Sequence, residues 1–129
     1  MENWHFVSYE VMGGTAVASA ATVALKKGDH EIRETSIGNG PIDAIFKCID
    51  RIAGHSGQFL GKKVEILKQG LFTVLLSVKL NSDTFPGRGT SPDMLEASAR
   101  AYVDAHNRNL ARVNRAKVEQ CFLMQAESI

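Results

Sequence analysis

Two stretches of this chain follow one plan. GNGPIDAIFKCIDRI begins at Gly38 and GRGTSPDMLEASARAYVDAHNR at Gly87. Each sets a Gly-x-Gly and a proline ahead of an apolar repeat of helical period, with an aspartate beside the proline. Each also follows a run with the alternation of strands. A pattern used twice in 129 residues constrains the fold more than any single motif. It predicts a duplicated β-β-β-α unit, giving an α+β domain with helices layered on antiparallel sheet and a pseudo-two-fold internal repeat. On this reading each glycine pair turns the chain from a sheet edge into a covering helix.

The elements can be placed from periodicity. Trp4 to Tyr9 is aromatic and β-branched, which suits a short strand. Thr15 to Lys26 alternates, with Val17, Val23 and Leu25 on one face and alanines on the other. Lys27-Gly28-Asp29 is a turn signal, and Glu31 to Ile37 returns as the next strand. At Pro41 the period changes. Ile42, Ile45, Phe46, Ile49, Ile52 and Ala53 form a helical stripe that Gly54 ends. HSGQFLGKK reads as a loop, Val64 to Leu67 as a strand, Gln69-Gly70 as a turn, and Leu71 to Leu80 as a strand. NSDTFPGRG reads as a loop with a short edge segment. In the second helix Ser91 or Thr90 is the candidate N-cap, with Pro92 in the first turn. Leu95, Ala99, Tyr102, Val103 and His106 make its buried stripe. The tail from Asn107 is polar and then mildly apolar; it either extends the helix or docks elsewhere, and residues 116–129 have no assigned packing.

Composition removes several function classes. The length fits a single domain, 1–129. Lys plus Arg number 15 and Asp plus Glu 14; that balance lacks the positive footprint a nucleic-acid binder needs. No apolar run approaches the length of a membrane span. MENWHFVSYE has neither a basic nor an apolar region of a secretory signal, and Cys48 reads as a small buried hydrophobe, so a cytoplasmic protein is expected.

No catalytic constellation is expected. Both glycine segments lack the third glycine of a dinucleotide fingerprint, and GQFLGKK has neither the spacing nor the hydroxyl of a P-loop. His5, His30, His55 and His106 show no metal-ligand spacing. Asp43 and Asp93 could be a general acid/base pair, but each lies where a carboxylate offsets a helix dipole. Ser91 sits in no nucleophile elbow. The residues alone indicate a binding or regulatory domain with neither a catalytic nor a metal-binding residue.

The two glycine segments also carry a resemblance. GNGPIDAIFKCI is similar to the Gly-Asn-Gly-Pro-Val-Asp-Ala segment of the C-terminal regulatory domain of 2-isopropylmalate synthases. GTSPDMLEASARAYVDAHNR resembles that domain's second signature, Ser-x-Asp-Ile-Ile-Glu-Ala-Ser-x-x-Ala-Tyr-x-x-Ala-x-Asn-Arg. The likeness runs from about Trp4 to Arg108, and citramalate synthases carry the same kind of domain.

The resemblance implies a regulatory module of a cytoplasmic acyltransferase of branched-chain amino-acid biosynthesis, whose (β/α)8 barrel, N-terminal in the same chain, condenses acetyl-CoA with a 2-oxo acid. The divalent metal belongs to that barrel, so no cofactor is expected in this domain. It further implies a homodimer that binds the end product near its interface and inhibits the distant barrel. Leucine is the effector in one branch of the family and isoleucine in the citramalate branch; a dimerisation module without an effector is the third reading. By position, the resemblance assigns the effector site to Gly38, Asn39, Gly40, Ile42, Asp43 and Ala44 at the first helix start. Phe59, Lys62 and Ile66 follow on the next loop and strand, then Thr73 and Leu75, and finally Pro86 and Arg88. Lys62 departs from the family, where tyrosine is common at this position.

Overall fold

A computed structural model describes residues 3–15 and 17–127. Its order is β1 (His5–Gly14), β2 (Val17–Lys27), β3 (His30–Gly38), α1 (Pro41–Ala53), β4 (Gln58–Ile66), a short 3-10 turn (Lys68–Gly70), β5 (Phe72–Leu80), β6 (Asp83–Ser91) and α2 (Met94–Glu127). The strands form two antiparallel meanders, β1-β2-β3 and β4-β5-β6. The duplicated β-β-β-α unit is therefore present.

Each helix lies on its own sheet, α1 on β2 and β3 and α2 on β5 and β6, and the two helices touch. The core fills this layer with Val23 and Leu25 from the first sheet, Val74, Val78 and Leu80 from the second, and Ile45, Ile49 and Tyr102 from the helices. A second contact joins the halves: β1 packs on α2. Trp4 and Asn107 exchange two hydrogen bonds, Trp4 N donating at 2.8 Å and Asn107 Nδ2 donating to Trp4 O at 2.9 Å. The Tyr9 hydroxyl donates to Asp93, and the Arg100 guanidinium lies 5.1 Å from the Phe6 ring.

Several expectations need correction. Gln58 to Lys63 is not a loop but the first part of β4. All of β4 except Gly61 is exposed, so no buried face imposes an apolar alternation there. Asn81 to Gly89 is not a loop either: only Asn81 and Ser82 turn, with φ of 51° and 71°, and β6 occupies the rest. Pro86 is tolerated because β6 is a sheet edge.

The second glycine pair is also not a turn into a helix. Gly87 and Gly89 sit inside β6, and a Cβ on either would run into the backbone of Ala101 or Ala97. They let α2 lie directly on the strand through a row of alanines. Its N-cap is Asp93, not Thr90 or Ser91: Leu95 N donates to Asp93 Oδ1 at 2.9 Å, and Pro92 precedes the helix. Ser91 assists from outside, its Oγ accepting from Asp93 N at 3.1 Å and donating to Glu96 Oε2 at 2.6 Å. The tail, left open from the sequence, continues α2 as helix through residue 127; Ser128 and Ile129 lie outside the described residues.

The alanines of β2 were expected to form one small-residue face. Ala18 is exposed, Ala20 half-buried and Ala24 buried, on the side of the sheet away from Val23 and Leu25; Ala16 lies outside the described residues.

Candidate functional site

The turn from β3 into α1 is built around one carboxylate. Asp43 Oδ2 accepts from Asn39 N at 2.9 Å and pairs with Lys47 Nζ, one turn later, at 3.1 Å. The Asn39 N–H, and then Lys47, hold the Asp43 carboxyl below its ordinary range against an opposing effect of burial. Gly38 makes room for this: a Cβ there would lie 2.5 Å from Ala44 N and 2.7 Å from Asp43 Oδ2. Gly40 is the N-cap with extended backbone, and its carbonyl accepts from Ala44 N at 3.0 Å. Pro41 has no N–H to offer. Among the described residues nothing accepts from the N–H of Ile42 or Asp43. Those two donors point out of the positive end of the helix.

From this start the face of α1 leads to β4. Phe46 lies one turn after Ile42; its ring stacks on Tyr102 at 4.0 Å and stands 6.0 Å from the Phe59 ring. Phe59, Lys62, Val64 and Ile66 share the side of the second sheet that carries Val74 and Val78, because they pair in register with core-facing residues of β5. The body does not cover them, and Ile66 is 76% exposed. Partial burial lowers the Lys62 ammonium pKa, and no acidic partner meets Lys62 among the described residues.

Thr73, Leu75, Pro86 and Arg88 lie on the opposite face of that sheet. Thr73 shares a 3.0 Å hydroxyl contact with Thr90, Leu75 stands in register with Arg88, and Arg88 N donates to Asp104 Oδ2 at 2.9 Å. Within one chain, the face of α1 that begins at Ile42 reaches Phe59 through Phe46, and Lys62 lies further along the same face of β4. The four residues behind the sheet do not join them.

A polar clasp joins the helices near the far end of α1. Asp50 Oδ1 accepts from the Tyr102 hydroxyl at 2.8 Å and lies 2.9 Å from His106 Nε2. Burial, then the Asp50 charge, raises the Tyr102 pKa. His106 is 2% exposed and the Asp50 side chain 17%, so the clasp is shielded from water at its histidine and only partly at its carboxylate. Sequence reasoning missed it, although the signal was there. Asp50 falls at i+4 from Phe46 in the apolar stripe of α1, where a carboxylate requires a partner.

Comparison with known proteins gives the same domain. A family model described as the LeuA allosteric (dimerisation) domain matches residues 1–110. A 2-isopropylmalate synthase of Pelotomaculum thermopropionicum is 40% identical over 102 residues, covering 76% of this chain and 20% of the relative. One from Campylobacter fetus subsp. fetus is 41% identical over 102 residues, 75% of this chain and 20% of the relative. One from Ruminiclostridium cellulolyticum is 29% identical over 116 residues, 88% of this chain and 23% of the relative. The chain thus spans about a fifth of the length of the curated relatives it matches. With two β-β-β-α units in the matched region, the chain belongs to the LeuA allosteric (dimerisation) domain family.

Proposed function

We propose that this chain is the feedback-sensing regulatory domain of a 2-isopropylmalate synthase, and that it binds leucine as a homodimer. The observation that carries the reading is the bare inner face of β4 beside the open start of α1. In the first unit the matching strand, β1, is covered by α2. In the second unit the repeat leaves Phe59, Val64 and Ile66 without a cover. A second chain supplies it, and a two-fold contact places the same patch on both partners.

The effector carboxylate then meets the N–H groups of Ile42 and Asp43, and the aliphatic side chain meets Ile42 and Phe59; Ile66, about 23 Å further along β4, belongs to the dimer contact. Burying that side chain contributes about 2 kcal/mol, and each charge-assisted hydrogen bond about 1.5–3 kcal/mol. After the cost of association, a dissociation constant on the order of micromolar to sub-millimolar follows. Acyl transfer and its divalent metal remain with the catalytic barrel of the parent enzyme in the cytoplasm, and leucine acts on that barrel through a coupling free energy.

Calorimetric titration of the purified chain with leucine, isoleucine and valine tests this, with leucine expected to bind tightest. Isoleucine in first place reassigns the domain to the citramalate branch. A dimer that binds none of the three at millimolar concentration overturns the sensing role. One observation favours that dimer-only reading: Asp43 already places a carboxylate of the chain itself on the Asn39 N–H.

A further inference from the structure

α2 runs for 34 residues, about 51 Å at the usual rise, but the body covers only its first half. From Ala111 to Met124 every residue is exposed except Val113 and Asn114, which are half-buried. Val118, Phe122, Leu123 and Met124 are each 61–70% exposed. A free helix of this length is marginal in water, and this arm adds a run of apolar side chains near its tip.

Two hollows lie along one side of the arm and share Glu119. The one at the base, about 690 Å³, lies between Phe85 and Pro86 of β6 and Ala111 and Ala116 of the arm, with Arg112 and Arg115 on its wall. The one at the tip, about 460 Å³, is formed by Val118, Phe122 and Leu123 around Glu119.

We propose that the arms of two copies of this chain pair antiparallel along this side. Centred on residue 117, the pairing sets Arg115 opposite Glu119, Arg112 opposite Phe122 and Ala111 level with Leu123, while Ala116 and Val118 flank the seam on opposite sides. From residue 111 to residue 123, every other arm residue of the two hollows finds its mate within the same set. A small side chain meets a large one, a cation meets an anion, and the Arg112 guanidinium, held through Nε by Asp83 at 3.3 Å, lies over an aromatic ring. The apolar tip of one arm fills the hollow at the base of the other, beside Phe85 and Pro86. A parallel pairing puts Arg115 on Arg115 and Glu119 on Glu119, which like-charge repulsion disfavours. The contact is isologous, as a two-fold requires.

The arm shares no residue with the β4 face, so the two contacts fail separately: Ile66→Glu reports on β4 and the arm variants report on the arm. The test needs no ligand and uses sedimentation of the whole chain across a concentration series, with circular dichroism confirming unchanged helicity. Phe122→Glu/Leu123→Glu and Arg115→Glu are each expected to weaken self-association by at least about ten-fold. Arg115→Glu/Glu119→Arg restores it, because the swapped charges again face each other. In a Cys121→Ser background, Arg115→Cys/Glu119→Cys gives a covalent dimer on mild oxidation. Self-association identical in all variants overturns the proposal and leaves the arm to a segment of a longer parent protein. Weakening without rescue by the charge swap, or without the cross-link, overturns the antiparallel register.

Discussion

Asp43 and Asp50 lie two turns apart on α1 and do different work. Asp43 closes the helix start, and the Asn39 N–H with Lys47 lowers its pKa. A carboxylate with a depressed folded pKa adds stability above its unfolded value, near 4, and loses it as pH falls through the folded value. Asp43→Asn is therefore expected to unfold at lower urea than the parent chain at pH 7, with the difference shrinking in acid. Denaturation curves at pH 7 and pH 3 check this. Asp50 instead satisfies two buried groups at once. Asp50→Ala leaves the Tyr102 hydroxyl and His106 without their acceptor and should cost about 2–4 kcal/mol by urea denaturation. The Asp43 role was legible from its place beside Pro41, as a dipole-offsetting carboxylate. For Asp50 only the need of a partner was legible, from its place in the apolar stripe; the partners themselves lie on another helix more than fifty residues away, and local spacing carries no record of them.

At the scale of elements, the sequence was clear where one face is buried and ambiguous where none is. α1 and β5 have a core on one side and were readable from period alone. β4 has no cover, so its glycine and lysines read as loop. β6 was obscured for the opposite reason: it is packed so tightly that only glycine fits against α2, and Gly-Arg-Gly looks like a turn. Gly89→Ala is expected to lose about 1–3 kcal/mol by forcing α2 off the strand. Gly61→Ala is the control. A Cβ there meets nothing within 4 Å, so its stability should stay within about 0.5 kcal/mol of the parent chain. Thermal melts of the two variants distinguish close packing from a general intolerance of side chains at glycines.

For the whole molecule, the duplication was legible and its incompleteness was not. Repeat symmetry calls for a helix over β4 as there is over β1, and one chain does not provide it. Of the residues assigned to the effector site, Ile42 and Phe59 flank Phe46 and Lys62 shares the face of β4 with Phe59, while Thr73, Leu75, Pro86 and Arg88 sit behind the sheet. Sequence position cannot separate the two faces of a strand until its register is known. If a partner chain covers β4, Ile66→Glu buries an unpaired carboxylate twice in each dimer and should shift the chain toward monomer, read by light scattering at micromolar concentration. The same variant should weaken leucine binding, since the proposed site is completed only in the dimer.

The packing of β1 on α2 has a consequence in time. A ribosome delivers Phe6 and Tyr9 early and the segment of α2 that shelters them about a hundred residues later. At roughly 5–20 residues per second this is an interval of roughly 5–20 seconds. Throughout it the first sheet can form its ladder and receive α1, yet the aromatic side of β1 has nothing to rest on. The newborn chain carries an open, sticky edge until α2 emerges, so a factor that binds apolar nascent segments should occupy ribosomes paused before Asn107 far more than it occupies the released, folded chain.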